Sequence, residues 1–179
     1  SGYTLTALII RFFSGYLVDS FPRKIILLIS FGVFALLFTG YPLASSLWLF
    51  AVVRTLHGAP FGVATVSNST VAIDVLPSSR RAEGIGYYGL SNNVATAISP
   101  SVALFIYGIH HSYDTLFALA IACSLIAFLC NVTVKTTSRP LQKRPPMSFD
   151  RFIMLKAWRH IICMACFAFA YGIISTYIA

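Results

Sequence analysis

Acidic residues are almost missing: Asp and Glu number five in 179 residues, against 13 Lys and Arg, and charged residues make up only 10% of the chain. Soluble globular domains carry about 25% charged residues, so a water-soluble domain is excluded. Cysteine is also scarce, with four in all, each inside an apolar stretch, which excludes a disulfide scaffold. Cys163 and Cys166 have the spacing of half a redox or zinc motif, but no second pair accompanies them, and His110 and His111 lack metal-ligand spacing. No cofactor or metal is therefore expected. There is no phosphate-cradling glycine loop, which argues against an ATP-driven pump domain. Long alternating segments are absent, which excludes a membrane β-barrel. A nucleic-acid partner is not expected either, because the net charge of +8 comes with long apolar runs rather than a basic face.

What is present is hydrocarbon. Hydrophobic residues make up 58% of the chain and the mean hydropathy is +0.80. Roughly 20 apolar residues in a helix cross about 30 Å of bilayer core. Six segments qualify: Ser1–Val18, Ile25–Tyr41, Leu47–Val75, Glu83–Gly108, Asp114–Val134 and Trp158–Ala179. The fold class expected is all-α, a polytopic membrane protein with six transmembrane helices. The fourth segment carries Asn92, Asn93, Thr96 and Ser99, and so reads as a helix buried among others. The chain starts and stops inside apolar segments, without an initiating Met or a signal-peptide pattern, so we expect a piece of a longer protein.

Orientation follows from the basic residues. Arg23, Lys24, Arg80, Arg81, Lys135, Arg139, Lys143, Arg144, Arg151, Lys156 and Arg159 all fall on one side. The opposite joints, Gly40–Ser46 and Ile109–Tyr113, hold no Lys or Arg. The positive-inside rule places the basic side in the cytoplasm, so the long 135–157 linker is expected there too. In that linker Pro140, Pro145 and Pro146 suit an extended chain, while Phe149, Phe152, Ile153 and Lys156 suit either a short surface helix or a continuation of the basic linker. Asn68 and Asn131 fit the glycosylation pattern, but they lie on the cytoplasmic half of spans, so neither is expected to be modified.

Three places carry chemistry. In the first joint, Gly15 can let helix ends approach closely, Asp19 can cap the next helix, and Arg23 and Lys24 can face headgroups or acids. On the residues alone this is also compatible with an ordinary charged loop. In the third segment Arg54, Gly58 and Gly62 recur every four residues and share a helix face. A cation in mid-span costs about 2.5–3.5 kcal/mol on insertion scales, so Arg54 should face a partner or a watery cavity. His57 can titrate near neutral pH or simply hydrogen-bond within the bundle. Arg11 is a second cation inside a span, and no acid lies deep within any span to meet either one. In the fourth segment Gly86, Gly89, Asn93, Ala97, Pro100 and Leu104 form a mostly small stripe. There Pro100 should bend the helix and Gly86 should permit packing, while Asn92 and Asn93 are cavity candidates.

These residues resemble the signatures of the major facilitator superfamily. Gly15, Asp19, Arg23 and Lys24 match its Gly-x-x-x-Asp-(Arg/Lys)-x-Gly-(Arg/Lys)-(Arg/Lys) loop, with Ser20 and Pro22 replacing a basic residue and the second Gly. Arg54 and Gly58 match its Arg-x-x-Gln-Gly motif, with His57 in place of Gln. Gly86 and Pro100 match the antiporter motif of its fifth helix, where Ala95, Ser99, Ala103 and Leu104 replace the other glycines. The resemblance implies helices two to seven of a twelve-helix transporter. Residues 1–134 would belong to the amino-terminal six-helix bundle, 135–157 to the central linker, and 158–179 to the first helix of the carboxy-terminal bundle. It further implies secondary transport by alternating access, with gating at the Asp19 loop and substrate or proton coupling at Arg54. Our reading is proton-coupled export of small molecules by a monomer in a bacterial inner membrane. Uptake of a nutrient or organic anion is the alternative, followed by a polytopic enzyme, for which no catalytic cluster is present, or a channel.

Overall fold

A computed structural model describes residues 2–136 and 158–177, which fall into two units, one ending at Arg144 and the other starting at Pro145. The described residues are helical and contain no strand. In the first unit the helices are α1 (Gly2–Ser20), α2 (Arg23–Phe38), α3 (Leu47–Val75), α4 (Arg81–His110) and α5 (Tyr113–Thr133), with a 3-10 turn at Ser78–Arg80. The second unit contributes α6 (Trp158–Tyr177). No helix end departs from the expected segment by more than three residues. The proposed surface helix around Phe149, Phe152, Ile153 and Lys156 lies outside the described residues.

The helix ends follow local chemistry. Ser46 caps α3 by accepting from the Leu49 N–H at 3.2 Å, and Ser112 caps α5 by accepting from the Asp114 N–H at 3.2 Å. α2 stops at Phe38 rather than Tyr41 because Pro42 follows. The chain tightens there into 3-10 bonds, Thr39 N–H to Leu36 O and Gly40 N–H to Leu37 O, both 3.1 Å. α4 ends on His111 at φ 49°, whose N–H reaches back to Tyr107 O at 2.8 Å. That left-handed cap normally falls to Gly, and here a His supplies it. Asp19 does not cap α2 as its position suggested. α1 runs on through Ser20, so Asp19 stands in its last turn, and the residue before α2 is Pro22, with no side-chain cap.

α3 is the central post of the first unit, packed on α1 and α2 and, more lightly, on α4; α5 lies against α2 and α4. The α1–α3 seam is the tightest. A Cβ at Gly62 would come within 2.8 Å of Ala7 O, and one at Gly58 would collide with Tyr3 O. Only hydrogen fits there, so the two backbones touch. Ala7, Ser14 and Val18 line the α1 face, and Gly58, Gly62, Ala64, Ser67 and Val71 are buried on α3. Buried hydroxyls bond within their own helix: Ser14 Oγ to Ile10 O, Ser67 Oγ to Ala64 O and Ser124 Oγ to Ile121 O, at 2.7, 3.2 and 2.8 Å. This satisfies them without water. Pro60 is also buried within α3 and cannot donate to the Leu56 carbonyl.

The outer faces are apolar, with Leu47, Trp48, Leu104 and Phe105 each at least 70% exposed. In water that would be an aggregation surface; lipid makes it the native one. Among the described residues α3, α5 and the Ser78–His110 segment are long and apolar enough to cross a membrane by length and composition. α4 has no buried residue, and a Cβ at Gly86 or Gly89 meets nothing within 4 Å. The expectation that Gly86 serves helix packing is therefore not met among the described residues. Pro100 lies inside an unbroken α4. A Cβ at Gly15 likewise meets nothing within 4 Å among the described residues.

Gly62→Leu should force α1 off α3 and destabilise the full-length protein by about 1–3 kcal/mol, the usual cost of overpacking. Gly15→Ala should change little. Thermal unfolding of both variants in detergent checks the contrast, and equal melting temperatures would contradict the seam described.

Candidate functional site

Two polar centres stand at opposite ends of the first unit. At the basic end, the last turn of α1, the first turn of α2 and the last turn of α3 converge. Arg23 donates from Nη2 to Asp19 Oδ1 at 3.1 Å and from Nη1 to Asp74 Oδ2 at 2.5 Å. Asp19 is four residues before Arg23, so its bond is local, and 72% of its side chain is exposed. Asp74 is 51 residues away and its side chain only 20% exposed, so this bond carries the tertiary link. Charge-assisted bonds shielded from water are the stronger kind, and exposed pairs contribute little. Burial works against the Arg23 charge, but the hydrogen bond and charge of Asp74, then those of Asp19, outweigh it and hold the guanidinium above the ordinary arginine value.

Lys24 points elsewhere. Its Nζ donates to Val132 O at 3.0 Å and Val134 O at 2.8 Å, the open carbonyls at the end of α5. A cation there answers the negative end of the helix dipole. Nearby, Arg80 pairs with Glu83 through two bonds, Nε to Oε2 at 2.8 Å and Nη2 to Oε1 at 2.7 Å, both exposed.

At the other end a cavity of about 310 Å³ is walled by Tyr3 of α1, Phe34 and Phe38 of α2, Tyr41 of the following joint and Phe117 of α5. α3 contributes Arg54 and His57 to it. His57 is 2% exposed. Its ring centre is 4.4 Å from those of both Phe34 and Phe38, and its Nδ1 is 3.1 Å from the Tyr41 hydroxyl. Nε2 is buried without a hydrogen-bond partner among the described residues. Arg54 is exposed, with its guanidinium carbon 5.8 Å from the centre of the Tyr3 ring. That is cation–π range. Tyr41 stacks on Phe117, with centroids 5.3 Å apart and planes 4° apart.

The other expected residues lie apart. Arg11 is exposed and reaches Thr65 Oγ1 of α3 at 3.3 Å, a hydroxyl rather than an acid. Asn92 and Asn93 are exposed on α4, and no side-chain hydrogen bond among the described residues uses their amides. Asn68, whose amide donates to the Tyr88 hydroxyl at 3.1 Å, is the polar link between α3 and α4. Sequence reasoning missed Tyr3, Phe34, Phe38, Tyr41 and Phe117, because aromatic residues are common in spans and their spacing does not announce a shared cavity. It read Asp74 as part of a charged joint able to ion-pair with the Asp19 loop, and the structure makes Arg23 of that loop its partner.

The family model of the Major Facilitator Superfamily matches residues 1–179. The chain belongs to the Major Facilitator Superfamily. Its relatives agree. "Uncharacterized MFS-type transporter YqjV" of Bacillus subtilis is 29% identical over 116 residues, covering 55% of this chain and 28% of that protein. "Quinolone resistance protein NorA" of Staphylococcus aureus (strain MRSA252) is 24% identical over 151 residues, covering 82% of this chain and 38% of its own length. "Triacylglyceride transporter/C731_2106" of Mycolicibacterium hassiacum is 26% identical over 129 residues, covering 72% and 24%. The chain thus spans under two-fifths of the length of these relatives. Membership makes it an integral, multi-pass membrane protein of a transporter family, rather than an enzyme family.

A double-mutant cycle tests the Arg23 centre. Arg23→Gln and Asp74→Asn should couple by about 1–3 kcal/mol in unfolding of the full-length protein, whereas Arg23→Gln with Asp19→Asn should couple by less than about 1 kcal/mol. Equal coupling in both cycles would contradict the ranking.

Proposed function

We propose that the chain is part of a secondary active transporter that works by alternating access and couples export of small molecules to protons. The observation that carries this reading is Arg23, which holds an acid of α1 and an acid of α3 at once at the basic end. Such a clasp suits a gate: it ties three helix ends together, yet it consists of charge pairs that water and a second set of partners can exchange. The positive-inside rule puts that end in the cytoplasm. Gly15, Asp19, Arg23 and Lys24 then form the gating loop, with Lys24 anchoring the loop to α5. Arg54 and His57 serve substrate or proton coupling. Arg11, Asn92 and Asn93 face a solute path completed by sequence beyond this chain, where Gly86 and Pro100 of α4 also serve. The two-half organisation assigns residues 1–134 to the amino-terminal bundle, 135–157 to a cytoplasmic linker and 158–179 to the first helix of the second bundle. In such transporters the halves rock around a central site in the bilayer. The setting we infer is a bacterial inner membrane, with the full-length protein a monomer in lipid.

Export is supported by the relative named for quinolone resistance. Uptake of an organic anion is the second reading, and one observation favours it: Arg54 is an exposed cation in α3 that no acid among the described residues meets in a salt bridge.

In inverted membrane vesicles holding the full-length protein, an acid-inside gradient should drive saturable accumulation of a fluorescent quinolone, abolished when the gradient is collapsed. Arg54→Ala and Asp74→Asn should each slow it by about tenfold with normal membrane insertion, the scale of losing one charge-assisted contact. Flux that ignores the gradient, or two variants that transport like the parent, would overturn the reading.

A further inference from the structure

The cavity around Arg54 has a composition that selects its occupant. Among the described residues no carboxylate lines it, and Arg54 alone brings a permanent charge to it. A cationic solute would meet that charge with nothing to offset it. A neutral apolar solute would fill the walls and leave the guanidinium only the uncharged Tyr41 hydroxyl as an acceptor. An anion meets it directly, and a planar carboxylate does so through two parallel N–H donors. The guanidinium already lies over the Tyr3 ring, so one face is turned to aromatic carbon instead of water, which strengthens the pull of the charge on an acceptor.

The walls decide the rest of the molecule. Phe34 and Phe38 come from α2 and Phe117 from α5, so rings from two further helices wall the pocket. Tyr41, buried and stacked on Phe117, is held by its contact with His57 Nδ1, which keeps the aromatic wall in register with the charged side. Ring faces and edges take aromatic solutes in offset or edge-on contacts worth more than their area alone. A volume of about 310 Å³ lies at the small end of ligand sites and is enough for one or two fused rings.

We propose that this cavity binds a small aromatic carboxylate, with Arg54 taking the carboxylate and Phe34, Phe38 and Phe117 taking the ring. As a substrate class the proposal rests on the transport reading; as a binding site it does not.

The test uses the purified full-length protein and four radiolabelled probes in equilibrium dialysis: benzoate, benzamide, benzylamine and cyclohexanecarboxylate. Benzoate should bind saturably, at least about tenfold tighter than benzamide, the scale of one charged hydrogen-bonded contact, and benzylamine should not bind. Cyclohexanecarboxylate should bind more weakly than benzoate, because it keeps the charge and loses the ring. Arg54→Gln should cost benzoate about tenfold or more, with Arg54→Lys intermediate, and Phe117→Leu should erase the preference for the aromatic ring. Benzoate binding no tighter than benzamide, or unchanged in Arg54→Gln, overturns the proposal. The probe series on the parent protein decides the matter even if a variant fails to fold. Carboxylate-selective binding with no gradient-driven movement of any solute upholds the site and counts against the transport reading. Gradient-driven flux of another solute with no benzoate binding does the reverse.

Discussion

The first unit depends on backbone meeting backbone between α1 and α3. In lipid there is no hydrophobic drive to push helices together, since a lipid tail is as apolar as Leu, so association must come from close van der Waals contact. Gly58 and Gly62 let the α3 axis come near enough to touch Tyr3 O and Ala7 O. Everything polar between these helices is set by that contact. It brings Arg54 over Tyr3 and places Thr65 within reach of Arg11, while farther along α3 Asp74 meets Arg23 of α2. A seam that opened by one side-chain radius would lose the first two.

The two ends of the seam use polarity differently. At the basic end, charges lie near the point where water begins and can be matched by acids. Three of the described acids sit in this region, each in a salt bridge, and Lys24 finds two helix-end carbonyls. At the other end no acid lines the cavity, and the cation leans on a ring while the imidazole is boxed by aromatic groups. Fixed partners give a scaffold.

Much of this was legible from the sequence, for a physical reason. Helices in lipid must satisfy their own backbone, so apolar length translates into helix length, and Leu47–Val75 came out at the same two residues in structure as in sequence. The positions of Arg54, Gly58 and Gly62 on one face follow from the helical repeat alone. What was not legible concerned partners. Gly15 and Gly86 looked like packing glycines, yet nothing lies beside them, because a small residue permits contact without supplying the neighbour. Asp19 looked like a cap, but α1 carries two more residues of helix regularity than its apolar run suggested. The aromatic cavity draws on four helices and a joint between positions 3 and 117, and no local spacing encodes such a meeting.

Lys24 holds the end of α5 by its last carbonyls, and it is bonded in the chain to Arg23. A tug on the polypeptide just beyond Val134 is therefore felt at the peptide bond beside the clasp between α1 and α3, without passing through the core of any helix. The loop is on a leash. Its hold is two hydrogen bonds from a single ammonium group, next in the chain to the arginine that grips Asp74.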